Sequence, residues 1–247
     1  MVRGQILIAT IALLGTLAAT GCEFFDAFKP GTGQTVVNVF ATHHATPENG
    51  VVPDRGGDGE ARVFENDEGW TIHLSMGYVT TRGVTLHRCD GDAMPVDVYF
   101  GSLAEDLSSA DLDRFTIGGT EVGRVDLCAM TVHYGPFDAA TDEKPDGVEI
   151  EDVDGYTLVL AGFARRGEDT VPFDIRTDAS LDVHLYLSVT QDGPVRVTGD
   201  EDFPVELTLS KTYDRFFDGV DFGAVSEEDL TAQAVALLEF ETRIQPD

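Results

Sequence analysis

The chain has 247 residues, with 45 acidic against 16 basic side chains and a formal net charge of −29. Such acidity argues against nucleic acid as a partner, whose phosphates would be repelled over the whole surface, and against a protein face pressed onto anionic lipid. The apolar share, 42%, is that of ordinary globular proteins, so the charge signals a solvated surface or divalent-cation binding rather than disorder.

A basic start, Met1 to Arg3, leads into an apolar stretch from Ile6 to Ala19. That stretch is short for a membrane span, which takes about 20 apolar residues, and suits the centre of an export signal. It runs into Leu17-Ala18-Ala19-Thr20-Gly21-Cys22. The last four residues resemble the lipobox of bacterial lipoproteins, with Ala19 where Leu is commoner. The resemblance implies cleavage before Cys22, a diacylglycerol thioether on its sulfur and a further acyl chain on the freed amine. Each chain buries about 0.8 kcal/mol per CH₂, and two or more give a stable anchor. Residues 1–21 are therefore expected to be a signal peptide and 22–33 a lipidated tether, broken by Pro30, Gly31 and Gly33. Phe24, Phe25 and Phe28 either dip into the lipid interface or pack on the domain that follows. Glu23, being other than Asp, favours the outer membrane by the sorting rule known for some bacteria.

From Gln34 the chain alternates apolar and polar residues with period two, the mark of half-buried strands. The expected strands are Thr35–Thr42, Trp70–Met76, Val84–Cys89, Val96–Phe100, Val122–Tyr134, Tyr156–Phe163, Val171–Thr177, Ala179–Val189 and Val205–Ser210. Turn signals such as Asp90-Gly91-Asp92, Asp154-Gly155 and Asp192-Gly193-Pro194 separate them. With no crossover helices between strands, the expected fold is all-β, an antiparallel sandwich or flattened barrel spanning 34–247 as one domain. Leu107 to Arg114 is expected to form a single helical turn. At the C-terminus, Ser226 followed by Glu227, Glu228 and Asp229 predicts a helix start, and Leu230, Ala234, Leu237, Leu238 and Phe240 an apolar stripe over about 226–244.

With Cys22 lipidated, Cys89 and Cys128 form an even pair in an exported, oxidising setting, where a disulfide is the default and a thiolate metal site or redox pair the alternative. Six histidines carry the metal question. His73 and His184 fall on polar strand faces, and His87 shares a face with Cys89. His133 faces away from Cys128, and the pair His43-His44 splits across both faces of its strand unless a loop permits joint ligation. His43, His44 and His87 are the candidate ligands, against a reading of each as a solvated strand or turn residue. Acid clusters at Asp142 to Asp154 and at Asp200-Glu201-Asp202 offer hard oxygen ligands for calcium, but neither fits the spaced twelve-residue loop. Catalytic signatures are missing: there is no Gly-x-Ser-x-Gly, no His-Glu-x-x-His and no P-loop, and Asp54 to Gly59 reads as a surface turn. No catalytic residue and no cofactor is expected. Trp70, with Ile72 and Leu74, is placed in the core.

The segments Asn66-Asp67-Glu68-Gly69-Trp70 and Tyr213-Asp214-Arg215-Phe216-Phe217-Asp218-Gly219, with the strands carrying Cys89 and Cys128, resemble uncharacterised lipoproteins of Gram-negative bacteria. More distantly, the layout is similar to the periplasmic copper-associated partner of di-haem peroxidase-like proteins. That family carries four cysteines where this chain offers two, and no ligand is transferred from it. The resulting expectation is a lipid-anchored, non-enzymatic binding or assembly module of the cell envelope, its protein or ligand partner unnamed. The alternative is a periplasmic protein handling copper, zinc or calcium.

Overall fold

The structure is a computed structural model that describes residues 33–56, 60–143, 148–187 and 193–245; the expected signal peptide, Cys22 and most of the tether lie outside them. The first half carries β1 (Thr35–His44), β2 (Arg62–Glu65), β3 (Thr71–Arg88), β4 (Ala93–Pro95), β5 (Asp97–Val98), β6 (Leu103–Asp106), β7 (Phe115–Val122) and β8 (Val125–Tyr134). The second carries a single helical turn α1 (Ile150–Val153), then β9 (Leu158–Arg166), β10 (Asp169–Thr177), β11 (Leu181–Tyr186), β12 (Val195–Val197) and β13 (Val205–Thr212). A 3-10 turn (Tyr213–Phe217), α2 (Glu227–Glu241) and β14 (Thr242–Gln245) complete it.

The strands form two sheets, one of five in the order β14-β13-β1-β7-β5 and one of nine built on β10-β9-β3-β8-β11. All ladders are antiparallel except β1 with β13, which run parallel and place His43 beside Lys211. The fold is an all-β sandwich, not a closed barrel. Apolar residues at alternate positions of β1 (Val37, Val39, Ala41), β3 (Ile72, Leu74, Val84, Leu86) and β8 (Met130, Val132) meet in one core. Aromatic side chains from the segment after β13 fill its centre. Phe217 lies 5.8 Å from Phe64 and 5.2 Å from Phe173, ring centre to ring centre, and Phe222 lies 5.8 Å from Trp70.

Three differences from the sequence-based expectation have physical causes. The segments expected as separate strands at 70–76 and 84–89 are one 18-residue strand, β3. Bulges beside Leu74/Met76, Thr81/Gly83 and His87/Arg88 reset its side-chain register and interrupt the alternation. The Val122–Tyr134 segment is two strands, divided at Gly123-Arg124. Leu107 to Arg114 is a chain of turns, not a helical turn: Asp106 accepts from the backbone N–H of Ser108, and Leu112 takes a positive φ of 67°. The expected C-terminal helix is α2. Ser226 caps it by accepting from the backbone N–H of Asp229, and Leu230, Ala234 and Leu238 are buried. The helix stops at Glu241 because Thr242–Gln245 joins β13 as an edge strand, and Phe240 stays exposed. No helix among the described residues is long and apolar enough to cross a membrane.

Candidate functional site

The outward face of the nine-stranded sheet carries a cluster of histidines where β3, β8 and β11 run side by side. Register brings them together: Thr131 lies between Thr85 and His184, and His133 between Gly83 and Asp182, while His87 and Tyr186 flank Ala129. Because strand side chains alternate, all of these point to the same side. Thr131 Oγ1 lies 2.7 Å from His87 Nε2 and 3.2 Å from His184 Nδ1, so two imidazole nitrogens converge on one hydroxyl. Their rings are 5.3 Å apart, and Tyr186 stands edge-on to His184 at 5.0 Å.

His133, one register pair further along, is fixed from both sides. Its Nδ1 lies 2.7 Å from Asp182 Oδ1 and its Nε2 2.8 Å from Thr85 Oγ1. A carboxylate on one ring nitrogen fixes the orientation of the ring. Partial burial, then the nearness of His184 and His133, lowers the pKa of His87 below the usual imidazole value.

Of the sequence candidates, only His87 joins this cluster. Cys89, expected on the same strand face, is bonded to Cys128, which ties the end of β3 to β8 with the Cα atoms 4.9 Å apart. His44 is directed away from His43, with Nδ1 2.8 Å from the carbonyl of Ala45. His43 is wholly buried between the sheets and has both ring nitrogens engaged. Sequence reasoning missed His133 and His184 as neighbours of His87. The signal was the polar phase of β8 and β11, which becomes a site only once their pairing with β3 is known. Among the described residues, no group of three or more His, Cys, Asp or Glu side chains stands ready-made around a metal position.

The buried ionic groups form a second centre. Glu105 of β6, Lys211 of β13 and His43 of β1 are all fully buried, with Lys211 Nζ 2.6 Å from Glu105 Oε2 and His43 Nδ1 3.0 Å from Glu105 Oε1. Burial alone would push Glu105 up and Lys211 down. The mutual attraction, with His43 adding to it on the Glu105 side, outweighs burial and leaves Glu105 lowered and Lys211 raised. Next to them Arg62, itself buried, donates to the carbonyls of Leu107, Gly56 and Ser109 and pairs with Asp111 at 3.0 Å. A cleft of about 600 Å³ reaches Arg62 and Asp111 between Pro53, Asp54, Glu60 and Leu112.

The acid clusters organise loops. Asp142 accepts from the backbone N–H groups of Ser102 and Asp138, and Glu201 from those of Thr198 and Gly199. These bonds pull the pKa of Asp142 down against the opposing effect of its burial. The two segments singled out in the sequence, at 66–70 and 213–219, interlock. Asn66 Nδ2 donates to the carbonyls of Phe217 and Val220, and Trp70 Nε1 donates to Asp221. The backbone N–H of Gly219 donates to Asp67.

No protein-family model matches the chain, and no curated protein does. Among solved structures it is similar to MbnP from Methylosinus trichosporium, with a TM-score of 0.41 and 8% sequence identity over 76% of this chain and 79% of that one. A likeness at that level carries no argument about activity.

Proposed function

We propose that this chain is a lipid-anchored protein of the cell envelope, a non-enzymatic binding module whose ligand is a divalent transition metal held on the histidine face. The single observation behind the metal is the convergence of His87 Nε2 and His184 Nδ1 on the Thr131 hydroxyl. Two imidazoles on a rigid sheet, open to solvent, suit copper or zinc far better than calcium, which prefers oxygen. A metal displacing the Thr131 hydroxyl from between the rings would complete its shell with water or a donor from a partner. His133, oriented by Asp182, supplies a further imidazole at the margin. The anchor rests on the run from Leu17 to Cys22, and the non-enzymatic reading on the missing catalytic motifs.

Protein purified without chelator tests the metal. One equivalent of copper or zinc per chain, lost in a His87→Ala/His184→Ala double variant, is the expected result. No metal, or binding unchanged in that variant, overturns the reading. Clickable palmitate tests the anchor independently: labelling lost in Cys22→Ser supports it, and unlabelled protein released without detergent refutes it.

A further inference from the structure

We infer that Lys211 and Glu105 are the partners of an intramolecular amide bond that joins the two sheets of the sandwich through its core. The inference is independent of the metal reading. Its basis is a set of contacts that an ordinary buried ion pair leaves unsatisfied. Both side chains are completely buried, and Lys211 Nζ lies 2.6 Å from Glu105 Oε2. Yet neither atom has a hydrogen bond of regular geometry. An ammonium carries three N–H donors, and leaving them unmet away from water makes the charged form costly.

The position of His43 supplies the proton chemistry. Arg62 Nη2 donates to Ser109 O and lies 3.0 Å from Asp111 Oδ1 and 3.5 Å from His43 Nε2. His43 Nε2 also lies 3.2 Å from the Ser109 carbonyl, which can only accept, and the proposed chemistry uses the tautomer that donates there. That leaves Nδ1 facing Glu105 Oε1 at 3.0 Å, lone pair against lone pair unless a proton lies between them. The same protons have a second arrangement of equal net charge, in which Lys211 is a neutral amine and the displaced proton sits between Oε1 and Nδ1. In that arrangement the amine is a nucleophile, held beside a carboxyl carbon that shares its proton with an imidazole.

The step balances without a co-reactant. The Nζ–Cδ bond forms and the Cδ–Oε1 bond breaks. Oε1 leaves as water with the proton shared with His43 and one released from nitrogen, and the third ammonium proton stays on the amide. Oε2 becomes the amide oxygen. Both buried charges disappear, and with them their desolvation penalty. The product ties β6, on the nine-stranded sheet, to β13, on the five-stranded one, whereas the disulfide ties strands of a single sheet.

The test is a tryptic digest of the full chain after reduction and alkylation. Trypsin cuts after Lys and Arg, so Glu105 falls in segment 89–114 and Lys211 ends segment 197–211. The expected product is 89–114 joined to 197–215, uncut after Lys211 and about 18 Da lighter than the two together, the mass of one water. The joined product should vanish in Glu105→Ala and in Lys211→Arg, and fall in His43→Ala. Free 89–114 and 197–211 as the main products of the unaltered protein overturn the inference, whether or not any variant folds. A loss of water that persists in Glu105→Ala overturns it as well.

Discussion

Asn66 is the residue through which the hairpin before β3 grips the turn after β13, and a one-atom change tests that grip. Its side chain is buried. Nδ2 donates to the carbonyls of Phe217 and Val220 at 3.0 and 2.9 Å, and Oδ1 accepts from the backbone N–H of Trp70 at 2.9 Å. Asn66→Asp keeps the shape and the Oδ1 contact but turns a two-proton donor into an acceptor aimed at two carbonyl oxygens. Each lost bond is worth about 1 kcal/mol, and the stranded carbonyls and buried charge add to it, so the loss at neutral pH should be about 3–4 kcal/mol. For a chain of this size that lowers Tm by about 10 °C. Urea denaturation with matched m-values, run across pH, is the assay.

The pH dependence separates this account from simple loss of packing. Burial and the facing carbonyls raise the pKa of the new carboxyl in the folded protein above its unfolded value of about 3.9. The folded state then binds the extra proton more tightly. The stability deficit of Asn66→Asp relative to the unaltered protein should therefore grow as pH rises through the folded pKa, and shrink on acidification. Asn66→Ala should show a deficit independent of pH. An Asp variant within about 1 kcal/mol of the unaltered protein at pH 7, or identical pH profiles for the two variants, would refute the reasoning.

Removing the disulfide with Cys89→Ser and Cys128→Ser frees a separation of 39 residues; the chain-entropy model then gives a loss of about 4 kcal/mol, read as a lower denaturation midpoint, and a loss below about 1 kcal/mol would contradict it. Ser226→Ala removes the acceptor for the N–H of Asp229 and should cost about 1 kcal/mol in thermal denaturation, with Ser226→Gly costing only a few tenths. Because a metal must displace protons from the imidazoles it binds, and His87 is held below the usual imidazole pKa by partial burial and its histidine neighbours, metal affinity measured calorimetrically should be highest at neutral pH and fall on acidification; an affinity unchanged between pH 7 and about pH 4 would contradict imidazole ligation. Asp142 is held below the usual carboxylate range, burial being outweighed by bonds from Ser102 and Asp138. Its stabilisation is thus present above the unfolded pKa and lost as pH falls through the folded one. Acid titration should show Asp142→Asn losing stability relative to the unaltered protein at neutral pH and converging with it in strong acid.

Period-two alternation is a local property, so the strands are legible in the residue pattern itself. Val183, Leu207 and Leu209 enter the core in the phase their neighbours dictate. The capping of α2 is legible for the same reason, since Ser226 and Asp229 lie within one turn. Cys89 and Cys128, read in a chain expected to be exported, point to a disulfide through redox chemistry alone. Bulges are different. They arise from how one strand meets the next, so the continuity of β3 through three register shifts leaves no clear trace in the residue pattern.

The sites depend on pairing. His87, His133 and His184 are 46 and 51 residues apart along the chain, and only the registers of β3, β8 and β11 place them on one patch. Likewise, in the sequence the charges of Glu105 and Lys211 look like ordinary members of an acidic surface. Parallel pairing of β1 with β13 and the approach of β6 from the opposite sheet enclose them with His43. Local chemistry determines which residues form strands, caps and bridges, because those choices are made among near neighbours. Which side chains share a site is decided by long-range strand order, because burial and proximity belong to the packed whole.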